Sequence, residues 1–337
     1  MKRLSASGII AAILLGLAVA SGNAGNFDNP VSISRTNPDP WVYQGANGFY
    51  YGLSTHEHNN DIVMFRSTNL VALYQGKGKV VWQAPAVGWN THDIWAPELH
   101  EIEGAFYIYY SGGNGARQSC GVLKCAGGDP YHDAWSDAGR LHSPAADDWA
   151  IDGTVLQQNG HLYFIWSDIS PDNVKKQNLF ISRMSSPTAL TGPRVELSRP
   201  EFPFECHGDP KIIDAVNEGP EILQHNDQTF LVYSCSFCAT RYYNLGCLSC
   251  NRQADPLVAS NWTKSAVSIF KEGNGLYGPG HCSFTKSPSG REDWLVYHAM
   301  VSTNEYKRYV CMQKFTWNPD GTPNFGTPQK TGIANPE

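Results

Sequence analysis

The sequence predicts an all-β protein, a five-bladed β-propeller, and two observations carry that expectation. The first is repetition. Residues 37–55 (NPDPWVYQGANGFYYGLST), 94–113 (IWAPELHEIEGAFYIYYSGG), 150–168 (AIDGTVLQQNGHLYFIWSD), 216–235 (VNEGPEILQHNDQTFLVYSC) and 278–299 (GPGHCSFTKSPSGREDWLVYHA) read as copies of one unit. Each copy opens on a Gly/Pro-rich bend and runs through a few mixed residues to a polar turn. It then ends in an aromatic-rich run, which is a strand, a turn and a second strand. A period of roughly 60 residues repeated five times is the signature of sheets arrayed around an axis. The second observation is composition. Trp 10, Tyr 16 and Phe 14, with Gly 32 and Pro 21, favour strands and turns over helices, and no long amphipathic helical pattern competes with them.

Taken in chain order, residues 1–24 are a separate object. A basic MKRL start, an apolar run from Ile9 to Ala20 and small residues at AVA and GNA read as a secretory signal peptide cleaved after Ala20 or Ala24. The run is short for a membrane span, which is the alternative, and no second apolar stretch of that length follows. Residues 25–337 read as a single catalytic propeller domain, because the repeats cover 37 to 299 without a linker. Third or fourth strands are expected at 61–67, 79–85, 177–185, 243–250 and 309–317, toward the blade exterior. The stretch 129–149 reads as a connector, and 318–337, with turn chemistry throughout, as a closing tail.

In a propeller the first strand of each blade lines the axis, so residues at the head of each repeat converge in space. Here the heads are Asp39, Ala96 (flanked by Trp95 and Glu98), Asp152, Glu218 and His281. Asp39, rather than Asp28 or Asp61, heads the first blade. The register sets Asp152-Gly153 against Glu218-Gly219. Glu218 and Glu221, three apart in a strand, are expected on opposite faces, with only Glu218 looking at the axis. Three carboxylates and a histidine aimed at one point read as an active site. Turn or rim roles are the bland alternatives for the acids, and a satisfied buried histidine for His281. Trp95, Trp166 and Arg308 are candidate sugar contacts, with core packing or a solvated charge as the alternative.

The charge balance narrows the partners. A net charge of −6 without a basic run argues against nucleic acid. Aromatics together with carboxylates suit sugars, whose C–H faces stack on rings while their hydroxyls seek polar groups. Nine cysteines in an exported chain imply disulfides with one thiol left over. Zinc at Cys235-x-x-Cys238 and Cys247-x-x-Cys250 is the alternative. Asn261-Trp262-Thr263 is a glycosylation sequon.

The motifs NPDPWV, HDIWAPEL, AIDGTV, NEGPEIL, YGPGHCSFTKSPSGREDWLVYHA and FTWNPDGTPNFG, in that order, resemble glycoside hydrolase family 43. The extracellular exo-acting α-L-arabinofuranosidases are the most similar members. The resemblance implies a secreted, inverting enzyme that releases L-arabinose from arabinan or arabinose-decorated xylan of plant cell walls. It implies Asp39 as general base, Glu218 as general acid and Asp152 as the residue that orients the acid and raises its pKa. It also implies an axial calcium near His281, held directly or through water. Cys206-His207-Gly208 ahead of the acid motif departs from the family's pattern and leaves the loops around the pocket open. Inversion requires two carboxyls roughly 6.5–9.5 Å apart, one to protonate the leaving oxygen and one to take a proton from the attacking water. The base must be ionised and the acid protonated at working pH, so their pKa values must be pushed apart. Endo-1,5-α-L-arabinanase and β-xylosidase activities stand as alternatives in the same class, and a non-catalytic sugar-binding propeller as one in another. A monomer, with no membrane partner, is expected.

Overall fold

The computed structural model describes residues 25–115, 117–142 and 149–337; the leader expected at 1–24 lies outside them. Five antiparallel four-stranded units follow one another along the chain, and a short parallel pairing of Lys176–Gln177 with Ala215–Val216 joins the third to the fourth. Blade 1 consists of Trp41–Gln44, Tyr50–Leu53, Asp61–Ser67 and Lys79–Gln83, and blade 2 of His92–Ile102, Ala105–Gly113, Gln118–Cys125 and Trp135–Leu141. Blade 3 runs through Ala150–Gln158, His161–Ser170, Asn173–Ser186 and Ala189–Ser198. Blade 4 comprises Ala215–His225, Gln228–Cys235, Asn244–Asn251 and Trp262–Lys264, and blade 5 Tyr277–Lys286, Asp293–Met300, Tyr309–Trp317 and Pro323–Asn324. The first strand of every blade touches the first strands of both neighbours, and the fifth returns to the first. That closed ring is the five-bladed propeller the repeats imply. Asn26–Phe27 pairs with Ile333–Ala334, so the closing tail fastens the two ends of the chain to each other.

Local chemistry explains the inner hairpins. Between the first two strands of blades 2 and 3 stand Glu103-Gly104 and Asn159-Gly160, with φ of 52° and 76°, and 53° and 72°. Two successive left-handed residues form the tight turn whose twist matches that of the paired strands, and Asn-Gly adopts it most readily. Alternation along each strand then feeds two interfaces at once. Tyr107 and Tyr109 pack toward blade 3, while Ile108 and Tyr110 pack toward blade 1. Five apolar clusters result, one in each gap between neighbouring blades. The aromatic-rich second strands are thus the filling between sheets.

Three expectations need correction. The connector 129–149 contains the edge strand Trp135–Leu141, whose polar, exposed middle hides its strand character, and 143–148 lie outside the described residues. Ala189–Ser198 is a strand that the sequence reading passed over. All nine cysteines are free thiols, where disulfides were expected. For two pairs the reason is geometric. Cys120 and Cys125 are five apart in one strand and Cys247 and Cys250 three apart in another, which sets them roughly 17 and 10 Å from each other. A disulfide needs Cα atoms within about 7 Å. Cys247 faces the blade 4–5 gap and Cys250 the blade 3–4 gap, where each packs as a small apolar side chain.

Candidate active site

A left-handed residue recurs in or just ahead of each first strand where it meets the axis, with Asp93 and Gly278 as further left-handed residues at the starts of blades 2 and 5. The recurring residues are Asp39 (φ 59°), Ala96 (45°), Asp152 (55°), Gly219 (53°) and His281 (45°). Such a backbone costs about 1–3 kcal/mol for a residue with a Cβ, and it persists only where its surroundings enforce it. In blades 2 to 5 it coincides with a bulge, where the strand spends extra residues against its partner. The enforcing contacts recur around the ring. Ala96 N–H donates to Thr55 Oγ1 at 2.9 Å, Asp152 N–H to Ser111 Oγ at 2.9 Å and His281 N–H to Ser234 Oγ at 2.7 Å. Asp39 N–H donates to His298 Nδ1 at 3.1 Å, which closes the ring from blade 5 to blade 1. Every acceptor belongs to the preceding blade and stands at or just beyond the end of its second strand. The Ser, Thr or His that ends each aromatic run is therefore a clamp on the next blade's head residue.

Blade 4 breaks the pattern. Gly219 N–H donates to the carboxylate Oδ2 of Asp152 at 3.1 Å. That bond ties Asp152 to the residue beside Glu218. It also corrects the register. The structural equivalent of Asp152 is Gly219, and Glu218 stands one position earlier, where blade 2 has Trp95. Gly153 and Gly219 are glycines for different reasons. A Cβ on Gly153 would lie 2.0 Å from the Phe164 ring, whereas Gly219 takes the left-handed turn. The alternation argument for Glu221 also falls. Glu218 pairs with Ser234 and Glu221 with Val232, so the bulge absorbs one residue and both glutamates lie on the same face. Glu221 is buried and feels the charge of Glu98 from blade 2.

Asp39 is the most heavily engaged carboxylate. Arg308 Nη1 donates to its Oδ1 at 2.9 Å and Thr55 Oγ1 to its Oδ2 at 2.6 Å. His281 Nδ1 stands 3.3 Å and His298 Nδ1 3.4 Å from Oδ1. Burial alone would raise its pKa, but the Arg308 guanidinium, the two imidazoles and the Thr55 hydroxyl hold it well below the usual carboxylate range. Burial also pushes both imidazoles toward the neutral form, so Arg308 is the permanent cation. Glu218 is the reverse case. Desolvation pushes it up to about 7 against the pull of a hydrogen bond from Tyr243, whose hydroxyl donates to Oε1 at 2.9 Å. The Tyr243 ring lies flat on His298, at 5.5 Å and 2°. A single stack therefore runs from the backbone of Asp39 to the carboxyl of Glu218. Asp152 is raised well above its ordinary value, first by burial and then by the charges of Glu218 and Asp39. Because the charge of Glu218 raises Asp152, the two carboxyls titrate together.

Of the other expected contacts, Arg308 reaches Asp39 and lies over the Tyr306 ring at 5.1 Å. Trp95 is half-buried at the register position of Glu218. Trp166 is a correction. Only 3% exposed, it packs between Phe164 and Phe180 in the gap between blades 2 and 3 and offers no face to a sugar. Among the described residues no three His, Cys, Asp or Glu side chains converge on a point where a metal would sit. The oxygen nearest the His281 ring is the one Arg308 uses. Tyr243, His298 and Thr55 are site residues that the sequence reading did not name.

The chain is similar to known proteins over most of its length. The profile of glycosyl hydrolases family 43 matches residues 27–323. An extracellular exo-α-(1→5)-L-arabinofuranosidase of Streptomyces avermitilis is 34% identical over 99% of this chain and 72% of its own length. The protein of the same name from Streptomyces chartreusis is 33% identical over 92% of each chain. The crystal structure of an α-L-arabinofuranosidase from Lactobacillus brevis superposes with a TM-score of 0.83 and 31% identity, over 90% of this chain and 97% of the other. With the profile spanning all five blades, the chain belongs to glycosyl hydrolases family 43.

Proposed function

We propose that the chain is a secreted, inverting, exo-acting α-L-arabinofuranosidase that releases L-arabinose from arabinan or arabinose-decorated plant cell-wall xylan. Asp39 is the general base, Glu218 the general acid, and Asp152 orients the acid and shares its proton. The observation that supports this most is the split between the two carboxyls. Arg308 and Thr55 favour an ionised Asp39, while burial favours a protonated Glu218 up to about pH 7. The names of the relatives support the sugar, the α linkage and extracellular action. Among the described residues no helix is long and apolar enough to cross a membrane. Export by residues 1–24, a single catalytic domain over 25–337 and a monomeric state complete the proposal.

In the hydrolysis, the glycosidic C–O bond breaks as its oxygen takes the Glu218 proton. Water attacks the opposite face of the anomeric carbon and gives its proton to Asp39. A carboxylate held as low as Asp39 is a weak base. It suits a transition state in which bond cleavage runs ahead of attack, because water bonded to an oxocarbenium-like carbon is itself acidic. Arg308 keeps Asp39 ionised and aimed at the water. An axial calcium would be held by His281 chiefly through water, and no step of the hydrolysis runs through it. The test is a panel of aryl glycosides with linear and debranched arabinan, read by product size and by proton NMR of the first-formed sugar. Arabinose alone, appearing first as the β anomer, is expected. Oligosaccharide products, preference for a xyloside, or the α anomer appearing first would each overturn the corresponding part of the proposal.

A further inference from the structure

Glu218 protonates the oxygen that leaves with the rest of the polymer, so a grip on that remainder has to be built outward from Glu218. A cleft lies next to it along the chain. Tyr243 bonds to Glu218, and the preceding residues Tyr242 and Arg241 line a cleft of about 280 Å³ together with Phe204, His207 and Glu272. That volume is at the lower end of small-ligand sites, which begin near ~300 Å³. Tyr242 is 50% exposed. Its ring is backed by His207, stacked at 4.3 Å and 23°, so the platform is held in place. Along the edge, Arg241 binds Glu272 through two bonds of 2.8 and 2.9 Å. The pair is neutral as a unit, yet guanidinium N–H donors and carboxylate lone pairs beyond those two bonds remain for sugar hydroxyls.

The cleft is built before any ligand arrives. The 201–205 segment, which brings Pro203 and Phe204 to the cleft, is fixed by Glu205, which is fully buried and accepts from the backbone N–H groups of Glu201 and Phe202 at 2.9 Å each. Phe237 N–H donates to His207 O at 2.9 Å, and His207 N–H donates to Ser236 Oγ at 3.1 Å. Asn244 Nδ2 donates to Phe204 O at 2.8 Å. These bonds join the 202–207 segment, which carries the Cys206-His207-Gly208 departure, to the segment that leads back to Glu218. Lys271 also lines the cleft and adds an ammonium donor to that edge. A rigid aromatic platform beside such hydrogen-bonding groups is the chemistry that holds a sugar ring.

We propose that this cleft is a subsite for neutral pentose units of the leaving polymer, beyond the scissile bond on the side of the acid. The proposal rests on the arabinofuranosidase reading for the direction of the chain, and its test separates the two. The full-length protein is compared with Tyr242→Ala and Tyr242→Phe on an arabino-oligosaccharide of four or more units and on an aryl α-L-arabinofuranoside that has no sugar beyond the scissile bond. The ratio of kcat/KM for the oligosaccharide to that for the aryl substrate should fall about five- to tenfold in Tyr242→Ala, through KM. It should recover in Tyr242→Phe, which restores the ring. An unchanged ratio, or equal losses on both substrates, overturns the subsite. A wild-type protein inactive on every arabinoside refutes the enzyme reading instead. Calorimetry of arabino- and xylo-oligosaccharides with wild type and Tyr242→Ala then decides the cleft: binding lost with the ring upholds it, and no binding to wild type overturns it.

Discussion

Tyr243→Phe removes one oxygen and nothing else from the best-defined contact of the acid. The ring is fully buried and lies flat on His298 at 5.5 Å, so the phenyl group should keep its place. What disappears is the O–H donated to Glu218 Oε1 at 2.9 Å. A donor stabilises the carboxylate more than the carboxylic acid, so this bond pulls the Glu218 pKa down, and burial has brought it to about 7 in spite of that pull. A hydrogen bond to a charged group contributes about 1.5–3 kcal/mol. At 1.36 kcal/mol per unit, its loss should raise the Glu218 pKa by roughly one to two units. The sign follows directly. Activity falls on the basic side as the acid loses its proton, so raising its pKa moves that limb to higher pH.

The assay is the pH dependence of kcat/KM for wild type and Tyr243→Phe on arabinan and on an aryl arabinoside, with a thermal melt to confirm folding. Because Glu218 and Asp152 titrate as a pair, the limb reports the pair, and its displacement is expected near the lower figure, about one unit. The plateau rate on arabinan should drop several-fold, since the acid is weaker and less firmly aimed. An aryl leaving group that needs little protonation should feel less of that loss. A basic limb that stays put, or moves to lower pH, would refute Glu218 as the group that titrates there.

Three further outcomes are expected. Asp39→Asn and Glu218→Gln should each cut kcat by several orders of magnitude with the fold intact, and only Glu218→Gln should be partly rescued by an activated aryl leaving group; near wild-type activity on arabinan would remove the assignment. Asp152→Asn leaves Glu218 to titrate without a second carboxyl to share its last proton, and should move the basic limb to lower pH. It should also stabilise the fold above neutral pH, because a carboxyl raised on folding contributes stability at low pH that is lost as pH climbs through its folded value; melting curves at pH 4 and pH 8 check this second effect. Thr55→Val removes both the Asp39 Oδ2 donor and the Ala96 N–H acceptor, and should cost about 1–3 kcal/mol of stability in chemical denaturation together with roughly tenfold in kcat/KM.

The five blades were legible because each inner hairpin repeats a polar turn with a left-handed residue and an aromatic run, and those runs fill the gaps between sheets. The edge strands were not. Trp135–Leu141 packs on one side only and carries an exposed polar middle, so neither period nor hydrophobicity marks it. The cysteine spacings misled for a related reason. Spacing along the chain looks like proximity, but within one strand it separates side chains to opposite faces, as Cys247 and Cys250 show.

The head residues that converge on the axis were legible in the sequence, and their register was not. Matching Asp152-Gly153 to Glu218-Gly219 aligned two glycines that do different work: one makes room for Phe164, the other turns the backbone left-handed. The one-residue slip matters chemically. Were Glu218 at the left-handed position, its own N–H would face Asp152, and nothing would separate the acid from the residue that orients it. Instead Gly219 takes the turn and gives its N–H to Asp152, and Glu218, one position back, is left to meet Tyr243. Asp39 does hold the left-handed position, where its N–H is bound by His298 and its carboxylate by Arg308 and Thr55. The proposed base and acid thus sit at different positions of the same repeat, and that offset gives one carboxyl a cage of donors and the other a dry pocket with a single phenol. A sequence repeat can identify such residues, but the bulge that offsets them is a backbone property, and the left-handed φ that marks it falls on Asp, Ala, Gly and His alike.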